Sequence, residues 1–180
     1  KKVISVLLCA AMVATMAMGC GAADKEAKKE TKSSSSSGDE KKLKLGITLY
    51  SLKNEFTVRI ANAAEKKAEE LGAELVVYDG NYDPSTQISQ IETMISDGCD
   101  GIILNPQDAE ACSPCVDKAV EAGIPIVGVN TRVENDKLTS YVGSQDVTAG
   151  EMEMQNIADL IGGKGKIVIV EGPMGQSAQI

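Results

Sequence analysis

The feature that most constrains this chain is a regular alternation, from residue 43 onward, of short apolar runs with longer segments of helical periodicity. The apolar runs are rich in branched side chains, which indicates buried strands. Predicted strands cover residues 43–50, 73–78, 100–104, 124–129, 139–142 and 166–170, and predicted helices cover residues 56–71, 85–96, 108–122 and 147–161. Such alternation predicts an α/β fold, in which helices flank both faces of a parallel sheet.

The start of the chain has a different composition. Two lysines precede an apolar run at residues 3–18, and a basic start followed by apolar and then small residues is typical of an export signal. A buried helix is the alternative, but it does not explain the motif that follows. The segment AMGC at residues 17–20 resembles the lipobox of bacterial lipoproteins, whose cysteine is acylated. The resemblance implies a signal peptide at residues 1–19 and lipidation at Cys20, with ordinary secretion as the alternative.

Residues 20–42 consist largely of Lys, Glu, Ala, Ser and Gly. Such a segment buries too little apolar surface to offset the entropy lost on ordering, so we expect a flexible linker. No later segment is apolar and long enough to cross a bilayer. We therefore expect an exported protein, tethered through Cys20 to the outer face of the cytoplasmic membrane or cell envelope.

The charge of the chain argues against a nucleic-acid partner. The formal net charge is -8, whereas proteins that bind phosphate backbones need clustered Lys and Arg. The chain contains no His, which removes the commonest general base and metal ligand. We expect no enzyme activity, no metal site and no cofactor.

Polar side chains follow several of the predicted strands. These are Ser51, Lys53 and Asn54, then Asp79 and Asn81, then Asn105, and finally Asn130, Thr131 and Arg132, accompanied by Tyr50 and Phe56. The carboxyl ends of parallel strands meet at one edge of a sheet, which is where ligands bind in open α/β folds. Amides both donate and accept hydrogen bonds, which suits a hydroxyl-rich ligand. For each residue taken alone, a role in a turn or a helix cap is the alternative.

Five stretches together resemble the ribose and galactose type of periplasmic sugar-binding protein, the substrate receptor of ABC importers. They are GITLYSLKNEF (46–56), NYDPSTQISQIETMISDGCDGIILNP (81–106), AGIPIVGVN (122–130), YVGSQDVTAG (141–150) and GGKGKIVIVEGPMGQSAQ (162–179). The resemblance implies the type I periplasmic binding fold, in which two α/β lobes enclose a ligand. Residues 43–143 then correspond to the first lobe and residues 144–180 to the beginning of the second, so we expect an incomplete chain.

The resemblance also implies the ligand contacts and the partners. The corresponding ligand-binding residues are Tyr50, Asn54, Phe56, Asn105, Asn130, Arg132 and Gln176. The implied function is capture of a monosaccharide or related polyol by a monomer that delivers it to an ABC permease. Hexose, pentose, inositol and signalling sugars all stay open as ligands, and a sensory or quorum-signal receptor with the same fold is an alternative.

The motif Cys112-Ser113-Pro114-Cys115 has the spacing of a thiol redox pair and supplies a rival from the enzyme class. The predicted helix places it several residues inside the helix, which favours two incidental cysteines over a thiol–disulfide oxidoreductase. Cys99 is expected in the core, and too few ligands accompany these thiols for zinc. The effector domain of a LacI-type repressor shares the fold, but an export signal stands where its DNA-binding helices belong.

Overall fold

The computed structural model describes residues 41–172, 174–176 and 178. Its elements follow the order β1 (Lys44–Leu49), α1 (Glu55–Glu70), β2 (Glu74–Asp79), α2 (Pro84–Ser96), β3 (Gly101–Asn105), α3 (Ser113–Glu121), β4 (Ile126–Val129), β5 (Ser140–Val142) and α4 (Asp146–Leu160). The predicted signal peptide, lipidation site and nearly all of the predicted linker lie outside the described residues.

The five strands form one parallel sheet in the order β2-β1-β3-β4-β5. The register pairs Leu49 at the end of β1 with Asp79 on one side and with Asn105 on the other. Because every strand runs in the same direction, all carboxyl ends lie at one edge of the sheet. The order places β1 between β2 and β3, so the chain turns in opposite directions from β1, as in doubly wound folds.

Two hydrophobic clusters cover the two faces of the sheet. Ile102, Leu104 and Ile126 pack with α2 and α3 on one face. Ile47 and Leu49 pack with α1 on the other face, and the alternation of neighbouring side chains along each strand produces this division. The predicted α/β architecture with helices on both faces is confirmed.

Local signals set the helix boundaries. The side chain of Asn54 accepts from the N–H of Phe56 at the start of α1, and Asp83 caps α2 directly before Pro84. Both are preferred N-cap types, and proline suits the first helical position. Gly72 follows α1 with φ of +72°, a left-handed conformation that glycine adopts without the steric cost of a side chain.

The third helix begins later than predicted. Residue 108 was the expected start, but α3 begins at Ser113. The carboxylate of Asp108 accepts from the N–H groups of Glu110 and Ala111, which folds residues 108–112 into turns instead. The prediction that the Cys112–Cys115 motif lies inside the helix is therefore wrong, because Cys112 is the N-cap of α3.

The predicted strand at residues 166–170 is also wrong. The segment has no regular secondary structure, and Val168 and Val170 are 89% and 92% exposed. A strand exists only where a neighbour satisfies its backbone hydrogen bonds, and no strand pairs with this segment among the described residues. The preceding helix α4 forms as predicted, yet it buries none of its residues.

None of the helices within the described ranges is both long enough and apolar enough to cross a membrane. Helices α1, α2 and α3 each bury one side against the sheet. In α1, for example, Thr57, Ala61 and Ala68 are buried, while the charged residues between them are exposed.

We expect Gly80→Ala to destabilise the fold by about 1–3 kcal/mol, the usual cost of overpacking. A Cβ at Gly80 would lie 2.7 Å from the carbonyl oxygen of Leu49 and 2.8 Å from Cγ of Gln87. Gly150→Ala is the matched control, because a Cβ there meets nothing within 4 Å and alanine favours helix α4. Urea unfolding measures both changes, and equal midpoints for the two variants would contradict this packing.

Candidate functional site

The candidate site occupies the edge of the sheet where the strands end. The register places Asp79, Leu49 and Asn105 side by side at this edge. The Nδ2 of Asn105 donates to the carbonyl oxygen of Val129, the last residue of β4, at 3.0 Å. Asn130 follows directly, so the loops after β1, β3 and β4 are neighbours along one edge.

The loop after β1 presents a hydroxyl, an amide and an aromatic ring. The Nδ2 of Asn54 donates to the hydroxyl of Tyr50 at 3.0 Å, while its Oδ1 caps α1. Burial, followed by the nearby Tyr82, raises the pKa of the Tyr50 phenol, which therefore keeps its proton. Phe56 stands in the first turn of α1 and is 52% exposed. Asn54 thus has a structural role as a helix cap, and one amide hydrogen remains to donate.

Thr57 ties this loop to the helix. Its hydroxyl is fully buried and donates to the backbone carbonyls of Ser51 and Asn54. These contacts hold residues 51–54 against the start of α1. The backbone position of Asn54 is therefore fixed by both capping and the Thr57 hydroxyl.

Asn105 provides a buried acceptor at the centre of the edge. The residue is fully buried, and its Oδ1 has no hydrogen-bond partner in the described part of the chain. A buried polar atom without a partner costs about 1–3 kcal/mol, so this oxygen has a strong preference for an external donor. A ligand hydroxyl is a donor of that kind.

A second buried amide, Gln87, lies beneath this edge and was not predicted as a site residue. Its Nε2 donates to the carbonyl of Asn105 at 3.0 Å and to the hydroxyl of Thr48 at 3.2 Å. Its Oε1 accepts from the N–H of Gln107 at 2.8 Å and from the thiol of Cys112 at 3.4 Å. The sequence pattern that predicts its burial is the helical spacing from Ile91 and Met94, because the three side chains form the buried side of α2.

Asn130 lies after β4 in a left-handed conformation, with φ of +64°. Its N–H donates to the carbonyl of Val142 at 2.8 Å, and its own carbonyl accepts from the hydroxyl of Tyr141 at 2.6 Å. The guanidinium of Arg132 lies over the ring of Tyr141, 4.7 Å from its centroid. Tyr141 therefore positions both predicted residues, a role that the sequence analysis did not assign.

The last predicted contact, Gln176, lies near the loop that follows β3. The carbonyl of the preceding Gly175 accepts from the N–H of Ala109 at 2.7 Å. The Nε2 of Gln176 is buried and, like the Oε1 of Gln107, has no partner within the described residues. A cavity of about 280 Å³ lies beside this loop and is lined in part by Ala109, Arg132 and Gln145.

An aromatic residue that sequence reasoning missed stands beside Tyr50. The ring centroids of Tyr50 and Tyr82 are 5.8 Å apart, and Tyr82 is 45% exposed. Both Asn81 and Tyr82 have positive φ angles, which is uncommon for residues other than glycine. The N–H of Tyr82 donates to the carbonyl of Tyr50 at 2.7 Å and holds this conformation in place. The positive φ angles of Asn81 and Tyr82 bring the two rings together, and no pattern in the sequence predicts those angles.

The acidic pair at this edge has structural partners. Asp79 accepts from the N–H groups of Leu52 and Asn81, and Asp83 accepts from the start of α2. The Thr86 hydroxyl and the Ser85 N–H hold the pKa of the Asp83 carboxyl below its usual value. Both carboxylates thus serve turns and caps. In the described ranges, no cluster of three or more His, Cys, Asp or Glu side chains forms a possible metal site.

The structure therefore places Tyr50, Asn54 and Asn105 at one edge with Asn130. Arg132 and Gln176 extend this set towards the loop after β3, and Phe56 exposes its ring beside it. Parallel strands bring Tyr50, Asn54, Asn105 and Asn130 to a single edge of the sheet. Their role in holding a ligand stays a prediction.

Comparisons with known proteins agree on one family. A family model described as a periplasmic binding protein domain matches residues 45–180. The xylitol-binding protein of Mycolicibacterium smegmatis is 38% identical over 161 residues, which cover 89% of this chain and 43% of that protein. The ribose import binding protein of Bacillus subtilis is 35% identical over 144 residues, covering 80% of this chain and 47% of that protein. The chain spans about half the length of the curated relatives it matches.

Solved structures share the fold as well. An ABC transporter solute binding protein from Bacillus halodurans, with bound myo-inositol, superposes with a TM-score of 0.74 at 31% identity, covering 79% of this chain and 50% of that one. A Mycobacterium smegmatis counterpart with bound glycerol has a TM-score of 0.72 at 29% identity, covering 77% and 48%. Because the family model covers well over half of its residues, this chain belongs to the periplasmic binding protein family, as the sequence resemblance predicted.

Proposed function

We propose that this protein captures a monosaccharide or related polyol outside the cytoplasm and delivers it to the permease of an ABC importer. The observation that carries the proposal is the fully buried Oδ1 of Asn105, an acceptor with no partner among the described residues at the edge of the sheet where the strands end. The relatives named for xylitol, ribose and myo-inositol support a ligand with several hydroxyl groups.

The polar groups at the edge suit such a ligand. Asn105 accepts from one ligand hydroxyl, while Tyr50 and the remaining amide hydrogen of Asn54 donate to others. The exposed ring of Phe56 packs against the apolar face of the ligand ring. These interactions bind and orient the molecule, and no nucleophile paired with a base accompanies them, so we propose a binding protein without catalytic activity.

Capture requires a second surface opposite this edge. We propose that residues 43–143 form the first lobe and that residues 144–180 begin the second, with Gln176 as an early contact from the second lobe. Its buried Nε2 has no partner among the described residues, and it is a donor suited to a ligand oxygen. A ligand that contacts both lobes favours the closed arrangement, because only that arrangement makes both sets of contacts. The permease then recognises the closed form of the monomer.

The amino-terminal sequence supports an extracytoplasmic location. We propose that residues 1–19 direct export, that Cys20 carries the lipid, and that residues 20–42 form the tether between membrane and lobe. Homologues named as periplasmic binding proteins and import binding proteins act outside the cytoplasm, which agrees with this assignment.

We expect at least one compound among ribose, xylose, glucose, xylitol and myo-inositol to raise the melting temperature of the full-length protein. A hundredfold excess over Kd adds about 2.7 kcal/mol of stability, which a thermal-shift assay detects readily. A response to amino acids or peptides, with none to any sugar or polyol, would contradict the proposed ligand class.

Phe56→Ala should weaken binding at least about tenfold, equivalent to about 1.4 kcal/mol, with little change in the melting temperature of the free protein. The small stability effect is expected because half of the ring is already exposed. Glu65→Ala, an exposed change on the same helix, is the matched control and should leave affinity unchanged. Isothermal titration calorimetry measures the affinity of each variant.

Asn54 caps α1 and is also a proposed ligand contact, so two variants are needed to separate these roles. Asn54→Ala removes the cap and should cost about 1 kcal/mol of stability in addition to affinity. Asn54→Ser keeps a capping oxygen but loses the amide, so it should melt close to the unmodified protein and still bind weakly. Full affinity in the serine variant would remove Asn54 from the site.

The lipid anchor has an independent test. The unmodified protein should appear in the membrane fraction of the producing bacterium, and Cys20→Ala should move it to the soluble fraction, because the acylated residue is then absent. Mass spectrometry of the mature amino terminus identifies the lipid. A soluble unmodified protein, cleaved at another position, would favour ordinary secretion.

A further inference from the structure

Two cysteines that the ligand site does not use face each other across the first turn of α3. Cys112 is the N-cap of this helix and Cys115 lies one turn further on, with Pro114 between them. Both thiols are free and both side chains are fully buried. Their position at a helix N-terminus directly after a strand and its loop is the setting in which paired thiols react.

The backbone brings the pair within bonding range. The N–H of Cys115 donates to the carbonyl of Cys112 at 3.0 Å, which closes a single tight turn. Residues three apart in a helical turn have Cα atoms about 5 Å apart, and disulfides need Cα atoms roughly 4.4–6.8 Å apart. The two thiols are close enough for each to shift the pKa of the other.

The two thiols are chemically unequal. The hydrogen bond from Cys115 lowers the pKa of the Cys112 thiol, with help from the N–H bonds made within the turn. The same hydrogen bond, together with burial, raises the pKa of the Cys115 thiol. A thiolate is the nucleophile in disulfide exchange, so Cys112 attacks first and Cys115 resolves.

We propose that Cys112 and Cys115 form an intramolecular disulfide, made by exchange with a disulfide-bearing oxidant while the chain folds. The Cys112 thiolate attacks one sulfur of the oxidant, forming a mixed disulfide and releasing the other sulfur as a thiolate. Cys115 then loses its proton and attacks the Cys112 sulfur, which expels the remaining oxidant sulfur. The protein loses two electrons and two protons, and the oxidant gains both as two thiols.

The surroundings accommodate the oxidised form. Cys112 no longer has a thiol hydrogen to donate to Gln87, but the Oε1 of Gln87 keeps its 2.8 Å bond from the N–H of Gln107. No buried polar atom loses its last partner. The folded lobe covers both sulfur atoms, so the exchange takes place during folding, once the Cys112–Cys115 turn has formed and before the sulfur atoms are covered.

The third described cysteine offers a matched control. Cys99 precedes β3 whereas Cys112 follows it, so the length of that strand separates the two. Oxidation should therefore spare Cys99.

The experiment starts from full-length protein unfolded in urea with reductant and refolded in a mixture of reduced and oxidised glutathione. After acid quenching, the protein is denatured, alkylated with iodoacetamide and digested with trypsin. Mass spectrometry then measures the masses of the peptides. All three cysteines fall in one peptide, residues 68–118, because no Lys or Arg separates them before its end. The Cys99→Ala variant therefore isolates the pair.

We expect almost complete loss of alkylation at Cys112 and Cys115 in the Cys99→Ala variant, with a peptide lighter by two hydrogen atoms. Cys112→Ala and Cys115→Ala should each leave the remaining cysteine of the pair alkylated. Alkylation of both cysteines in the unmodified protein and in Cys99→Ala, or a lasting glutathione adduct on Cys112, would overturn the proposal. These results come from peptide masses and hold even where a variant folds poorly.

In the cell, the oxidation depends on the export proposed above, because disulfides persist in oxidising compartments. The refolding experiment does not depend on export or on the ligand. A protein that binds no sugar can still form this disulfide, and a sugar-binding protein can lack it, so failure of either proposal is recognised separately.

Discussion

The candidate site depends on one buried side chain, the amide of Gln87. This single group bonds to β1 through Thr48, to the end of β3 through Asn105, and to the following loop through the N–H of Gln107. An amide buried without these bonds would be strongly destabilising, and with them it fixes three segments relative to one another. Gln87 thereby fixes the backbone of Asn105, and the bond from Nδ2 to the carbonyl of Val129 fixes its side chain, so the Oδ1, which has no partner among the described residues, has a defined orientation.

The fold was largely predictable because it follows from periodicity. Apolar residues recur every second position in β1, run without interruption through residues 102–104 of β3 and follow helical spacing in α1, and these patterns arise from burial on the two faces of the sheet. The two wrong predictions, the start of α3 and the strand at residues 166–170, concern segments whose structure depends on contacts that their apolar pattern does not specify. At residues 108–112 the carboxylate of Asp108 accepts from the backbone N–H of Ala111, and the segment forms turns instead of a helix. At residues 166–170 no strand pairs with the apolar run within the described chain.

The site was predictable in part, for a related reason. Topology alone carries residues that follow parallel strands to one edge, so Asn54, Asn105 and Asn130 could be grouped without coordinates. The helical spacing of Gln87 predicts its burial but not its partners, and no pattern marks Tyr141, because each acts through a side chain that reaches a distant backbone carbonyl. The place of Tyr82 depends on a left-handed backbone that the sequence does not specify. Long-range contacts and unusual backbone angles produce no periodic pattern in the amino-acid sequence.

The helix cap made by Asn54, together with the ligand contact proposed for it, limits how this family member can change during evolution. Any replacement that alters the proposed contact also alters the start of α1, since the same side chain begins that helix. Substitutions at this position are therefore limited to residues that can still cap a helix, such as Ser, Thr or Asp. Phe56 has no such constraint, because half of its ring is already in solvent. New ligand preferences should arise more readily at position 56 than at position 54.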